Sequence, residues 1–547
     1  MLNAKNPTRK PDRQSLSPKT PGKVSAALFF GALLCVTPPA WPDQTDYATL
    51  NQIKNEAQEH SQASDTLFYL ADLYGPRLTG SPNYLAAAEW AIKTLRAYGL
   101  ENVHKEPLGQ IYLAPGLEWS GRSWSYTRCS VRLLEPQQAQ LYAVPAGWSR
   151  PTGARISGEA IFAPLPQNPG QVDLFINRFR GRLKGKILLT SERARVQRQS
   201  PPETFRYSDQ DLAKLALPDE TSPEPRGEEL ASRPGTSQPD AELERALEGW
   251  NRLLDFLHDE QVLALAQPAG GQGGTLFTTN QFGPPDPNHD PPPTISISAE
   301  QYNRLIRFTE KQLPVKLEIE VESQFYQHPD HFNVIGDIPG TSRKEQVVMI
   351  GAHLDSWFGG TGATDNAAGV AIVMETMRIL SKLRLKMNRT VRLALWDAEE
   401  LNAAGSRAYI AQHYLDGKTA ANKKLSDALS VYLNVDNGAG RIRGVYLQNN
   451  KAAVPVFESW LSPLKELGAT TVSIRDSEGS DHQAFDHAGI PAFEVIQDPL
   501  NYYSRTHHST MDLVDYVPPN DLKQGAAVLA AIVYQAANSP DLVPRKR

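Results

Sequence analysis

Histidines and carboxylic acids recur in the second half of this chain, each time just past an apolar run. Residues 347–355 (VVMIGAHLD) place His353 and Asp355 after four apolar residues. VRLALWDAEE ends in Asp397, Glu399 and Glu400, LSVYLNVDNG ends near Asp436, and SRTHHSTMD carries His507, His508 and Asp512. Asp365 sits between the first two runs, in GGTGATDNAAG. Imidazole nitrogens and carboxylate oxygens on rigid elements, with a position left for water, form the donor set of a hydrolytic metal centre. His353, Asp365, Glu400, Asp436 and His508 could supply it. Asp355, two residues past the first histidine, is placed to orient that imidazole.

Each residue also has a plainer use. Asp365 precedes a helical pattern and could serve as its N-cap. Glu399 and Glu400 could form the solvated acidic first turn of the next helix, and Asp397 fits that use better than either glutamate. Asp436 before glycine could close an Asx-type turn, and His507-His508 could lie on a surface loop. Two adjacent acids after a buried strand repel each other unless a cation answers them. One of the pair could then bind metal while its neighbour moves a proton. Nitrogen and oxygen ligands at successive apolar run ends make the metal reading the more economical one.

The elements that must position these groups read as an α/β fold. Residues 347–350 are short and β-branched, as in a buried strand. From residue 331 onward, strand-like runs alternate with helical ones, predicting a three-layer domain with a mostly parallel, mixed sheet and helices on both faces. Ligands of such sheets gather at the carboxyl ends of the strands, where the acids and histidines fall. Residues 46–125 read as N-terminal helices of the same domain, including DTLFYLADLYG and YLAAAEWAIKTLRAYG. Residues 126–325 have a different texture, short strands broken by Pro and Gly, as in an inserted β-rich domain. Within it, residues 197–245 are rich in Pro, Ser, Glu and Arg and predict a loop without regular structure. Residues 326–547 form the catalytic core.

The formal charge of −5 over 547 residues gives no basic patch for nucleic acid or lipid headgroups. Residues 1–43 have a basic lead, the apolar run VSAALFFGALLCV and then TPPA, the layout of an export signal, with an uncleaved anchor as the other reading. Periplasmic or extracellular placement follows. Removal of that segment would leave Cys129 as the single cysteine, so export here would not depend on disulfides.

Taken in order, AHLDS, TDN before a helix, WDAEE, NVD and HHSTMD resemble the co-catalytic dizinc exopeptidases, which include the bacterial leucyl aminopeptidases and carboxypeptidase Q. PRLTGSPNYLAAAEWAIKTLRAYGLENV and FNVIGDIPG are similar to that family's N-terminal helices and first core strand. GKILLTS and VLALAQPAGGQGGTLF resemble its protease-associated insert. The resemblance implies zinc, two ions per chain. Asp365 would bridge them, His353 and Asp436 would complete one, Glu400 and His508 the other, and Glu399 would be the general base. An acid four residues after the last ligand, Asp512, selects His508, with His507 as fallback. Ser480-Asp481-His482 looks like a structural helix start. The implied function is hydrolysis of dipeptides or short peptides, with an aminopeptidase acting on longer peptides as the alternative. A non-catalytic binding protein, a one-zinc glutaminyl cyclase-like enzyme and a two-metal phosphatase fit the complete ligand set and motif order less well. Peptide is the expected partner, and a homodimer stays open.

Overall fold

The computed structural model describes residues 46–109, 112–114, 117–118, 121–197, 205–218, 241–279, 289–327, 329–415 and 423–546. The expected export signal lies outside them. The catalytic sheet has eight strands, in the order Glu101–Pro107, Phe332–Ile338, Arg389–Trp396, Arg343–His353, Leu429–Asn434, Ala492–Gln497, Ile442–Tyr446 and Thr471–Ser473. Its centre is parallel: Arg343–His353 pairs in parallel with Arg389–Trp396 and with Leu429–Asn434, which pairs in parallel with Ala492–Gln497. Antiparallel pairs toward both edges make the whole sheet mixed.

The central strands are buried on both faces, which is why they read as unbroken apolar runs rather than alternating ones. Helices Ala368–Lys382 and Pro519–Asn538 pack together, each with most of its length buried. Across the sheet, Trp396, Tyr409, Tyr432 and Phe485 form an aromatic cluster. That cluster explains Gly351: a Cβ there would lie 2.6 Å from Tyr432 Oη and 2.8 Å from Trp396 Nε1. The close approach leaves room for the Trp396 indole to donate to Tyr432 Oη at 2.7 Å.

The N-terminal segment forms helices Tyr47–Glu59, Ala63–Leu67 and Pro82–Ala97, with Ser81 capping the last through its hydroxyl. The first lies ahead of the pattern read from the sequence. A second eight-stranded sheet spans residues 123–326, with the long strands Ser123–Glu135 and Lys316–Tyr326 paired along their lengths. One correction concerns the span 197–245. Asp209–Ala216 is a helix with a full capping box between Ser208 and Asp211, lying against the edge strand Thr471–Ser473 of the catalytic sheet. Its few apolar groups find a partner far away in sequence, which local composition does not record. Among the described residues no helix is long and apolar enough to cross a membrane.

Candidate metal centre

Three adjacent parallel strands end at one edge of the catalytic sheet. His353 closes the first and is buried. Its Nε2 stands 3.2 Å from Asp365 Oδ1 and 3.3 Å from Asp436 Oδ1. Its Nδ1 faces the Asp355 backbone carbonyl at 3.0 Å and the Asp355 carboxylate at 3.4 Å. Asp355 thus lies on the Nδ1 side of the ring. Its carboxylate also accepts the backbone N–H groups of Glu399 and Glu400, each at 3.3 Å.

Asp365 does not cap a helix, since the regular turns begin only at Ala368. Two buried groups hold its loop. The Asp512 carboxylate accepts the N–H groups of Thr364 at 2.5 Å and Asp365 at 3.3 Å. The Arg77 guanidinium, from the segment before helix Pro82–Ala97, donates to the carbonyls of Leu70, Leu354, Thr361 and Gly362. It ties the N-terminal helices to both ligand-bearing loops.

Glu399 and Glu400 occupy a short turn flanked by Ala398, Asn402 and Ala403, all with left-handed backbone at φ +58°, +67° and +53°. Non-glycine residues rarely adopt this conformation, and clusters of it mark positions fixed by function. The solvated use does not apply to Asp397. It is fully buried and accepts from Thr79 Oγ1 at 2.6 Å and the Phe332 N–H at 3.2 Å. Asp397 is a structural tie between the N-terminal segment and the sheet.

On the other side of the site, Asp436 Oδ2 accepts from Ser480 Oγ at 2.5 Å, and the Asp436 N–H donates to Glu494. His508 Nε2 approaches Glu400 Oε2 at 2.7 Å and Asp365 Oδ2 at 3.2 Å, while His507 Nε2 stands 3.7 Å from Asp365 Oδ2. The two imidazoles stack at 3.9 Å, so His507 borders the same centre from the cavity side. All seven predicted residues, His353, Asp355, Asp365, Glu399, Glu400, Asp436 and His508, converge here. Ser480, Asp481 and Arg77 complete the surroundings and were not read as site residues. Ser480-Asp481 carries the one local signal, a small polar residue and an acid ahead of a short helix.

The electrostatics suit a bound cation. Glu400 Oε1 is buried without a hydrogen bond, an arrangement that costs stability unless a donor or cation answers it. Burial pushes Glu399 well above its usual range, His353 partly offsets this, and Asp436 and Asp481 add to it. Burial likewise lifts Asp436 to about 6 and Asp481 to about 7, in each case with some opposition from His353. Burial disfavours charge on His508, but Glu400 and Asp365 outweigh it and raise its pKa to about 11. Nitrogen and oxygen donors in a partly closed, acidic site fit divalent zinc. Ligand-type atoms of His353, Asp365 and Glu400, of His353, Glu399 and Asp436, and of Asp365, His507 and His508 lie within 4.8 Å of one another in each group. The site opens into a cavity of about 380 Å³ whose walls include Arg407, Asn437, Gln483 and Tyr503.

Residues 333–533 match the model of Peptidase family M28. Carboxypeptidase Q of Bos taurus is 25% identical over 495 residues, covering 90% of this chain and 88% of that protein. Among solved structures, a peptidase M28 precursor from Shewanella amazonensis shares 23% identity at a TM-score of 0.63, over 92% of this chain and 99% of its own. The zinc aminopeptidase BSAP from Bacillus subtilis shares 19% identity at a TM-score of 0.52, over 88% and 95%. These two structural likenesses establish a common fold.

Proposed function

We propose that this chain, whose residues 333–533 match Peptidase family M28, is an exported, zinc-dependent metallo-exopeptidase hydrolysing dipeptides or short peptides. The carrying observation is the convergence of His353, Asp365, Glu400, Asp436 and His508 at one sheet edge, with Asp365 within 3.2 Å of both His353 and His508. Asp365 is therefore read as the ligand common to two ions. His353 and Asp436 would complete one, and Glu400 and His508 the other. Zinc bound there supplies Lewis acidity, lowering the pKa of water and polarising the scissile carbonyl.

The chain's own part is proton transfer and orientation. Glu399, facing His353 and Asp436 from the turn that Asp355 holds, takes the proton from the attacking water and returns it to the departing amine. Asp355 fixes the imidazole of His353 and, through the two N–H groups, the direction of both glutamates. The second sheet is read as a protease-associated-like insert in a catalytic domain formed by residues 46–125 and 326–547. The cavity of about 380 Å³ suits a short substrate, and the match to carboxypeptidase Q across most of both chains supports exopeptidase action. The basic and apolar leader in residues 1–43 supports export. A panel of dipeptides, N-acetylated dipeptides and longer peptides tests this reading with chelator present, absent and reversed by zinc. Hydrolysis of free dipeptides, lost on chelation and restored by zinc, is expected. Activity that survives complete chelation contradicts it.

A further inference from the structure

The loop that carries His508 is held from outside the family-matched region, by the segment 275–279 between strands Ala264–Pro268 and Thr294–Ile297 of the second sheet. Thr278 donates twice to the His508 backbone carbonyl, through its N–H at 2.8 Å and its hydroxyl at 2.9 Å. On either side of that contact, Phe277 forms a bridge with Ser509, and the Thr510 N–H donates to the Leu276 carbonyl at 3.0 Å. His508 needs such a hold. Its φ of +55° is a conformation a histidine rarely adopts, and its ring is within 2.7 Å of Glu400 and 3.2 Å of Asp365.

A third strand of contacts closes the arrangement. The Trp357 indole, four residues past His353, donates to the Thr278 carbonyl at 3.2 Å and stacks on the His508 imidazole at 5.3 Å and 24°. Gly359 lets the segments meet, since a Cβ there would come within 2.8 Å of Thr278 Cγ2 and 3.0 Å of the Ser509 backbone. Thr278 itself is buried. The backbone carbonyl and ring plane of His508 are thus contacted by Thr278 and Trp357, neither of them among the ligand candidates.

We propose that Thr278 is a positioning residue for His508, so that the second sheet is a working part of the metal centre rather than a covering beside it. The inference rests on the two-zinc reading above. The hydroxyl fixes the peptide of His508, and Trp357 transmits the same constraint to the ring. Losing it frees the loop to relax out of the left-handed conformation and misaims one imidazole, which weakens one ion and leaves the other held by His353 and Asp436.

Zinc titration of the chelated full chain, followed by bound-metal analysis, tests this with Thr278→Val and Thr278→Ser. Valine keeps the volume and removes the hydroxyl, and serine keeps the hydroxyl. Two zinc ions in the unaltered chain, one of them bound about tenfold more weakly in Thr278→Val and restored in Thr278→Ser, are expected. The drop in kcat should exceed any change in KM. Two ions bound by Thr278→Val with unaltered affinities overturn the positioning role. Fewer than two ions in the unaltered chain overturn the two-zinc reading itself, a separate failure. Trp357→Phe, which keeps an aromatic ring and removes the donor, should reproduce part of the weakening, and an unchanged affinity there as well counts against the clamp.

Discussion

Asp355 accepts the backbone N–H of Glu399 at 3.3 Å with one carboxylate oxygen and that of Glu400 at 3.3 Å with the other. The same side chain stands 3.4 Å from His353 Nδ1. One buried acid therefore contacts a residue read as a ligand and holds the turn that bears the proposed general base. Asp355→Asn keeps the shape but replaces one acceptor oxygen by an NH2 group that cannot take either N–H. It should lower kcat by about 10- to 100-fold with zinc content partly retained. Steady-state kinetics beside metal analysis checks this, and wild-type kcat in Asp355→Asn contradicts it.

Asp365 and Asp436 distinguish the two proposed zinc sites. Asp365 touches both histidines, whereas Asp436 touches His353 alone. Asp436→Ala should lose one zinc and keep the other, while Asp365→Ala should weaken both. Metal analysis after dialysis against a weak chelator distinguishes them. Equal losses in the two variants do not fit a shared ligand.

The pH dependence of the zinc-free protein has a definite sign. Burial raises Asp436 to about 6, and raises Asp481 and Asp512 to about 7, against a usual 3.8. A carboxyl with a raised folded pKa binds its proton better folded than unfolded, so its contribution to stability falls as pH rises from about 4 through 7. His508, raised to about 11, acts in the same direction at higher pH. Zinc binding replaces these protons. The rise in Tm on adding zinc to chelated protein should be larger at pH 8 than at pH 5. A rise of equal size or larger at pH 5 argues against proton and metal sharing the site.

Arg77 supports the centre mechanically. Burial draws its pKa to about 10, with Asp512 and Asp355 countering. Its removal in Arg77→Met leaves the carbonyls of Leu70, Leu354, Thr361 and Gly362 without that donor. A loss of at least about 3 kcal/mol in unfolding free energy is expected from denaturant titration. A loss under about 1 kcal/mol would show that the two loops hold without it.

Much of this was legible because the chemistry lies where regular patterns stop. The apolar runs ending at His353, Trp396 and Asn434 are buried central strands, and their two-sided burial makes them readable without neighbours. What stayed hidden depends on contacts distant in sequence. Asp397 looked like a helix-start acid, yet Thr79 and Phe332 bury it. The Asp209–Ala216 helix sits in polar, proline-rich sequence and packs on a strand more than 250 residues away. Arg77 follows a turn-rich segment with no chemical signature, and only the folded loops reveal four carbonyls around it. Thr278 lies in another domain's texture altogether. Asp481 reads as part of a helix start, and its charge interaction with Glu399 appears only in the folded chain.

The central claim is that Glu399 moves the proton while neighbouring residues hold the metal. Glu399→Gln keeps size and polarity but cannot act as a base. Measured on one preparation, it should retain both zinc ions and lose about 10³-fold or more in kcat on a free dipeptide, within the usual span for a general base. Near wild-type turnover with both zinc ions bound would contradict the account.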